Sequence, residues 1–288
     1  MNDLECEIWD EKTIQKKGFG GLLAVGRGAS NPPRFIQLRY KPKHAAGRVA
    51  IVGKGVTFDS GGLSLKPANS MENMKSDMAG AAAVIATMGA LPRFDVRTEV
   101  LAFVPSTENL PSGDSLKPGD VIKHYSGKTT EVNNTDAEGR LILADALAFA
   151  CEQNPDAIVD IATLTGGIMV ALGTRISGIF STDDALYEEL SSAATAAGED
   201  IWRMPLADEF KRDLESEVAD MKNSGSRYGS ASVGGIFLKE HVREGIPWVH
   251  LDIAGTDWAD KPHDLGPKGS TGVMTRTLIN WLASRGRA

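Results

Sequence analysis

AIVDIATLTGGIMVALGTRISGIFSTDDALYEELSSAATAA, residues 157–197, is the stretch that decides the fold, because strand and helix patterns alternate along it. Residues 157–162 and 176–181 are predicted buried strands, and residues 168–172 and 184–197 are predicted helices. Such alternation is typical of crossover units in which helices cover both faces of a parallel sheet. We therefore predict an α/β fold with a mixed, largely parallel sheet, and functional groups at the carboxyl ends of its strands.

The same patterns extend outward along the chain in both directions. Further strands are predicted at residues 21–25, 35–40, 48–52, 100–104, 121–125, 129–132 and 248–253, and further helices at residues 76–91, 140–153, 207–215, 233–242 and 271–283. Residues 105–119 are predicted to be a loop, and the Ser- and Gly-rich residues 223–232 a mobile surface loop. Since no linker divides the chain, residues 1–288 are expected to form one domain.

Composition excludes several classes of function. The 288 residues contain 31 Lys and Arg against 38 Asp and Glu, a net charge of −7, which argues against a nucleic-acid partner held by a general positive field. Apolar stretches are interrupted before the roughly 18–20 residues that a membrane span requires, so no membrane partner is expected. The acidic start of the chain lacks a basic, apolar leader, and Cys6 and Cys151 are too few for a disulfide framework. These features predict a cytoplasmic protein.

Common catalytic signatures are missing from the sequence. It contains no phosphate-binding P-loop, no Gly-x-Gly-x-x-Gly turn and no Gly-x-Ser-x-Gly elbow. The five histidines have neither His-Glu-x-x-His spacing nor an i, i+4 pair, which argues against a zinc site built from histidines.

Two segments that follow apolar strands carry the candidate chemistry. One is VGKGVTFDSGGLSLKP (residues 52–67), which continues to MKSDMAG (residues 74–80), and the other is NNTDAEGRL (residues 133–141). If the second segment stays extended, Asp136, Glu138 and Arg140 face one side. Asp59 and Asp77 would bring the cluster to four carboxylates, whose charge two divalent cations would balance. Each aspartate taken alone could equally be a helix cap or a turn residue.

The two segments resemble, nearly residue for residue, the signatures of the leucyl aminopeptidase (cytosol aminopeptidase) family of two-zinc exopeptidases. ATLTG at residues 162–166 and HLDIAG at residues 250–255 agree with the same family, so the resemblance spans almost the whole chain. It implies an enzyme that removes N-terminal amino acids, with leucine-like residues preferred, from short peptides. It also implies two divalent metal ions, Zn²⁺ or Mn²⁺ with Mg²⁺ or Co²⁺ as alternatives, and a bicarbonate ion.

The resemblance also implies a role for individual residues. Asp59 and Glu138 would bridge both metals, Asp136 would complete the more exchangeable site, and Asp77 with a deprotonated Lys54 would complete the tighter one. Lys66 would stay protonated and polarise the scissile carbonyl group. The remaining implied roles are bicarbonate binding by Arg140 with the backbone of Leu164, an apolar pocket of Met74, Thr163 and Ala254, and peptide contacts of Asn134 and Gly166.

One departure and two rival functions accompany this interpretation. Family members usually carry an N-terminal domain before the catalytic one, and it is expected to be absent from residues 1–288. Self-association is still expected, as a hexamer if the chain follows its family. The rival functions are a two-metal phosphoesterase, because the same charge balance suits phosphate, and a non-catalytic regulatory or DNA-binding scaffold.

Overall fold

The apolar strands of the sequence assemble into one large central sheet. The computed structural model describes residues 4–285. Its strands are β1 (Leu4–Trp9), β2 (Arg34–Tyr40), β3 (Arg48–Gly53), β4 (Gly55–Asp59), β5 (Glu99–Asn109), β6 (Val121–Lys123), β7 (Thr129–Glu131), β8 (Ala157–Ala162), β9 (Ser177–Ser181), β10 (Ile201–Arg203), β11 (Met221–Lys222), β12 (Trp248–Asp252), β13 (Trp258–Ala259) and β14 (Gly269–Ser270).

Helices fill the connections between these strands. They are α1 (Glu11–Lys17), α2 (Gly20–Gly26), α3 (Ala68–Met71), α4 (Ala79–Ala90), α5 (Gly139–Glu152), α6 (Gly166–Leu172), α7 (Asp184–Ala197), α8 (Ser230–Lys239) and α9 (Thr275–Ser284), with 3-10 turns at Met74–Ser76, Leu91–Arg93 and Asp208–Leu214. Among the described residues, no helix has both the length and the apolar character needed to cross a bilayer.

The central sheet is mixed but largely parallel. Its order is β1-β2-β5-β3-β8-β12-β9-β10, and β4 pairs with the far end of β5. Strands β4, β5, β3, β8 and β12 run parallel to one another, whereas β2 is antiparallel to β5 and β9 is antiparallel to β12. The carboxyl ends of the central strands therefore meet at one edge, as the strand and helix alternation predicted.

Both faces of the sheet are covered by helices. Along β3, Ala50 and Val52 pack into a core with α1, α2, α5 and α8, while Val49 and Ile51 pack into a second core with α4, α7 and α9. Successive residues of a strand point to opposite faces, so a continuous apolar strand supplies both cores. This arrangement confirms the predicted fold class.

Residues 21–25 are helical, which corrects the predicted strand. They belong to α2, in which Leu22 donates its backbone N–H to Asp145 of α5 at 2.9 Å. Gly21 lies so close to α5 that an added Cβ would stand 2.2 Å from the carbonyl oxygen of Leu141. A short apolar run fits either periodicity, and here packing against α5 favoured the helix.

Two predicted loops are more ordered than expected. Strand β5 continues to Asn109, well into the loop predicted at residues 105–119, because its last residues pair with β4. The segment predicted as a mobile loop, residues 223–232, begins with the fully buried Asn223 and ends inside α8, which starts at Ser230. Residues 225–229 are exposed, as predicted for a surface loop, whereas the prediction was wrong for the buried Asn223 and for residues 230–232, which are helical.

Candidate metal centre

The candidate residues gather where the parallel strands end. Lys54 follows β3 directly, Asp59 is the last residue of β4, and Thr163 follows β8. They line a cleft of about 720 Å³, to which β12 contributes Ala254 from just beyond its end. The cleft therefore lies at the sheet edge where α/β proteins usually hold their ligands.

Charged side chains in the cleft form one cluster around two lysines, of which Lys54 is the more deeply buried. Its Nζ donates to Asp77 Oδ1 at 2.8 Å and to the carbonyl oxygen of Thr163 at 2.8 Å, and lies 2.9 Å from Glu138 Oε1. Burial alone would lower the pKa of Lys54, but Asp77, Glu138 and Asp59 outweigh that effect and raise it. Losing this proton, as metal ligation by lysine requires, therefore needs a stronger positive field than the protein supplies.

Lys66 is the more exposed of the two lysines in the cluster. Its Nζ lies 2.9 Å from Asp59 Oδ2 and 2.5 Å from Asp136 Oδ1. Burial works against the charged form here too, but the two carboxylates raise the pKa of Lys66 above its usual value. Lys66 is thus held as an ammonium, as the family resemblance implies.

The oxygen atoms of this cluster fit a divalent cation. Carboxylate oxygens of Asp59, Asp136 and Glu138 lie within 4.8 Å of one another. Asp77 Oδ2 and Glu138 Oε2 are buried without a hydrogen-bond partner among residues 4–285, although buried polar atoms are normally satisfied. Burial and neighbouring carboxylates raise the pKa of Asp77 and of Glu138, so the cluster is short of positive charge. Hard, anionic oxygens with open lone pairs are what divalent cations bind.

Polar neighbours hold the two carboxylate loops in place. Asn109, the last residue of β5, donates its Nδ2 to Asp59 Oδ1 at 2.8 Å and to the carbonyl oxygen of Thr135 at 3.0 Å. Thr135 Oγ1 in turn donates to the carbonyl oxygen of Gly61 at 2.6 Å. These hydrogen bonds therefore hold residues 59–61 and 135–138 next to each other although the two segments are distant in sequence.

The segment from Asp136 to Arg140 is not extended, which corrects the geometric argument made from spacing. Asp136 lies in a turn, and Glu138 has helical dihedral angles (φ −77°, ψ −35°) as the residue before α5. The turn still directs Asp136 and Glu138 into the same cleft. Arg140 is inside α5 and does not line the cleft; its Nη1 donates to the carbonyl oxygen of Asn223 at 2.8 Å.

Arg140 nevertheless lies near enough to the carboxylate of Glu138 for this charge to affect its pKa. It is buried, and burial lowers the pKa of its guanidinium to about 10 despite the opposing charges of Glu138 and Asp252. Its Nε has no hydrogen-bond partner. A Cβ added to Gly234 would lie 3.3 Å from both Arg140 Nη2 and Leu164 Cδ2, so these two side chains are near neighbours.

Most of the predicted substrate contacts line the cleft. They are Met74, Thr163, Gly166 and Ala254, and Leu164, which was predicted to contact bicarbonate, lines the cleft as well. Asn134 does not line it; its Oδ1 accepts the backbone N–H of Asp136 at 2.9 Å, so it shapes the turn that carries this carboxylate. All five histidines are among the described residues, and none lines the cleft.

Sequence reasoning missed several residues that build the site. Asn109 and Asn223 each hold backbone segments by side-chain hydrogen bonds, and Asp257 places a further carboxylate in the cleft. Asn109 and Asp257 come just after apolar strand patterns, which is the one signal that could have drawn attention to them. No pattern in the sequence distinguishes Asn223 from the polar residues around it.

The fold and this cluster define an α/β protein that binds divalent metal at the carboxyl edge of a parallel sheet. Residues 1–279 match the catalytic domain of the cytosol aminopeptidase family. The chain belongs to this family, and the resemblance seen in its motifs is confirmed.

Curated relatives agree with the family match. The chain is 50% identical over 283 residues to a probable cytosol aminopeptidase of Streptomyces griseus, covering 98% of this chain and 55% of the relative. It is 48% identical over 294 residues to a probable cytosol aminopeptidase of Micrococcus luteus, covering 99% of this chain and 58% of the relative. The chain thus spans a little over half the length of these relatives.

Solved structures show the same fold. The bottromycin maturation enzyme BotP in complex with Mn superposes with a TM-score of 0.94 at 45% identity, over 97% of this chain and 62% of BotP. A mutant of tomato leucine aminopeptidase superposes with a TM-score of 0.90 at 44% identity, over 98% of this chain and 54% of the tomato chain. The matched family and the curated relatives give no support to the phosphoesterase or scaffold alternatives.

Proposed function

We propose that the protein is a two-metal-dependent aminopeptidase that removes N-terminal amino acids from short peptides. The observation that carries the proposal is the convergence of Lys54, Asp59, Asp77, Asp136 and Glu138 on one cleft, where buried carboxylate oxygens lack partners. The family match and the relatives named as aminopeptidases support the same activity.

These five residues would hold the two divalent cations, with Asp59 and Glu138 shared between them. When bound, such a pair supplies a Lewis acid for the peptide carbonyl group and lowers the pKa of the attacking water. Zn²⁺ and Mn²⁺ are the proposed metals, with Mg²⁺ or Co²⁺ as alternatives. Mn²⁺ is favoured because the similar enzyme BotP forms a complex with Mn and because the donor set is rich in oxygen.

Lys66 would act on the substrate as a cation. Its side chain is 16% exposed, against 3% for Lys54, so it is the lysine that can turn toward a peptide in the cleft. Because Asp59 and Asp136 keep Lys66 protonated, its ammonium can stabilise negative charge that develops on the scissile carbonyl oxygen.

Arg140 would bind the bicarbonate ion. The Nε of this guanidinium is buried without a partner, and a planar guanidinium matches a planar oxyanion in two hydrogen bonds. Leu164 is a near neighbour that lines the cleft, and its backbone N–H already donates to Asp252 at 3.1 Å. These two residues would hold the bicarbonate ion, which would supply proton transfer to the site.

Peptides with a free N-terminus are the proposed substrates. Met74, Thr163 and Ala254 would surround the first side chain, and flexible methionine makes such a pocket adaptable. Gly166, at the start of α6, would leave room for the peptide backbone, and Asn134 would act indirectly by shaping the turn of Asp136.

The remaining parts of the proposal concern the molecule as a whole. Residues 1–288 are proposed to be one catalytic domain, supported by a single sheet that carries both cores. A cytoplasmic location is supported by relatives named cytosol aminopeptidases. Self-association, as a hexamer, is proposed from the family resemblance and can be measured by analytical ultracentrifugation.

Hydrolysis of leucine 4-nitroanilide with added Mn²⁺ or Zn²⁺ tests the activity. We expect turnover that a chelator abolishes, that an N-acetylated substrate does not show, and that Asp136→Ala removes. Asp95→Ala, which deletes an exposed carboxylate 3.5 Å from Arg97, is the matched control and should behave as the parent protein. No turnover by folded, metal-loaded protein would refute the proposal, as would full activity of Asp136→Ala. Cleavage of 4-nitrophenyl phosphate but not of peptides would favour the phosphoesterase.

A further inference from the structure

Asp257 lies in the substrate cleft but belongs to none of the roles assigned above. It follows β12 in a tight turn, where its backbone N–H donates to the carbonyl oxygen of Ile253 at 3.0 Å. The residue is 7% exposed, and it lines the same cleft as Met74, Thr163 and Ala254. A buried carboxylate therefore interrupts a lining that the sequence predicted to be apolar.

The carboxylate of Asp257 forms no ion pair with a lysine, arginine or histidine within residues 4–285, and Lys54 acts on it only as a more distant charge. Hydrogen bonds from the side chain of Ser76, two residues beyond Met74, and from the backbone N–H of Asp257 itself favour its charged form. Burial raises the pKa of Asp257 to about 6, so the group is still mainly ionised at pH 7.5. A buried charge without a partner is costly, and such groups are normally paired.

The lysines of the cleft are already engaged by other carboxylates. Lys54 and Lys66 are engaged by the four carboxylates of the candidate metal centre. Asp260 also lines the cleft, but it is exposed, so water screens its charge. Asp257 is thus the one lining carboxylate that is both buried and outside the metal cluster among the described residues.

We propose that Asp257 makes the cleft select peptides whose first residue has a long cationic side chain, arginine or lysine. This inference rests on the proposed aminopeptidase function and names the substrate class of the same site. The aliphatic stem of arginine or lysine would lie along Met74 and Ala254, as a leucine side chain would, while the cationic end would reach Asp257. Because the carboxylate has only Ser76 as a side-chain donor, a guanidinium or ammonium group would complete its hydrogen bonding.

Neutral side chains of the same length should be poor substitutes. A site built around a buried polar group rejects an analogue that leaves this group unpaired. Citrulline has the shape of arginine without its charge, and norleucine has the chain of lysine without its ammonium. Since a hydrogen bond to a charged group contributes about 1.5–3 kcal/mol, kcat/KM for arginine should exceed that for citrulline by about 10- to 100-fold.

The experiment measures kcat/KM of the Mn²⁺-loaded protein on 4-nitroanilides of arginine, citrulline, lysine, norleucine and leucine. The parent protein and the variants Asp257→Asn, Asp257→Glu and Asp260→Asn are compared. We expect the ratio of arginine to citrulline to fall to about one in Asp257→Asn and to recover in Asp257→Glu. In Asp260→Asn, which makes the same change of charge three residues away, the ratio should change less than about threefold.

The outcomes separate this inference from the function on which it rests. If no substrate is cleaved by folded, metal-loaded protein, the aminopeptidase proposal fails. If leucine and norleucine are cleaved but arginine is not preferred over citrulline by the parent protein, Asp257 does not select cations and the inference is overturned. The inference is also overturned if Asp257→Asn lowers kcat/KM equally for all substrates, because loss of a purely structural role would have that effect. The parent protein's ratio decides the question even if a variant fails to fold.

Discussion

Adding a single methyl group at Gly139 should disable the metal centre while leaving the fold intact. Gly139 is the first residue of α5, and it faces the side chain of Lys54 across the cleft floor. A Cβ at this position would lie 2.6 Å from Lys54 Cε and 2.7 Å from Nζ. The lysine must therefore move by about 0.8 Å to restore an ordinary contact of 3.4 Å.

The cost of that movement follows from the contacts of Lys54. Its Nζ has three partners at 2.8–2.9 Å, two of them buried carboxylates, so a shift of this size breaks or weakens one or two charged hydrogen bonds. At about 1.5–3 kcal/mol each, the loss is about 2–5 kcal/mol. Alanine stabilises a helix by up to ~1 kcal/mol relative to glycine, which offsets part of this loss. Gly139→Ala should therefore lower the free energy of unfolding by about 1–4 kcal/mol.

Metal affinity should report the displacement more directly than stability. Lys54 is one of the proposed ligands and touches two others, so moving it should weaken Mn²⁺ binding by at least the roughly 10- to 100-fold typical of changes to residues that orient metal ligands. Titration calorimetry with Mn²⁺ and leucine 4-nitroanilide hydrolysis at subsaturating Mn²⁺ measure this effect, and urea denaturation measures stability.

Gly89→Ala is the matched control for Gly139→Ala. Gly89 is in the exposed part of α4, and a Cβ there would have nothing within 4 Å. This variant should gain up to ~1 kcal/mol of stability and keep its metal affinity. Parent-like Mn²⁺ affinity and activity in Gly139→Ala would show that the position of Lys54 does not matter to the centre, and the reasoning would be refuted.

Three further changes test other parts of the site. Asn223→Ala removes hydrogen bonds to the backbone of Asn133, Asn134 and Ala137, and should cost about 2–4 kcal/mol in urea denaturation; parent-like stability would contradict the role given to Asn223. Lys54→Arg keeps the charge but cannot lose a proton, so metal analysis should find one equivalent fewer per chain, and two retained equivalents would remove Lys54 from the ligands. Asp257→Asn should stabilise the chelator-treated protein, and by about 1 kcal/mol more at pH 7.5 than at pH 5. The gain in stability grows with pH because the folded-state pKa of Asp257, about 6, exceeds the unfolded value of 3.8, so ionisation of Asp257 above pH 4 opposes folding. A gain that does not grow with pH would contradict this prediction.

The predictable part of the fold is the part governed by local pattern. Strands β3, β8 and β12 are short segments rich in apolar residues, and α7 begins with the capping side chain of Asp183, so apolar periodicity and capping signals identify these elements. Their alternation along the chain also predicts a parallel sheet, and therefore the edge at which Lys54 and Thr163 emerge. Local sequence was sufficient for these elements because packing and propensity agree there.

The remaining features depend on contacts between distant segments. Asn223 holds Asn134 from 89 residues away, and α2 is helical because Gly21 approaches α5 closely. Neither contact leaves a periodic signal in the sequence. Asp257 was missed for a different reason: a single aspartate after a strand is usually a cap or turn residue, and only the cleft distinguishes it.

The exposure of the charged groups bears on the order in which two cations would occupy the cluster. Asp136 has a side chain that is 32% exposed and its partner Lys66 is 16% exposed, whereas Asp77 and Lys54 are 6% and 3% exposed. Lys66 could turn outward into solvent, which would free Asp59 and Asp136 to hold a cation. Binding at Asp77 Oδ2 instead requires Lys54 to lose its proton inside the buried cluster. The outer position should therefore fill and empty readily and the inner one slowly, which supports assigning the exchangeable metal to Asp136 and the tighter metal to Asp77 and Lys54.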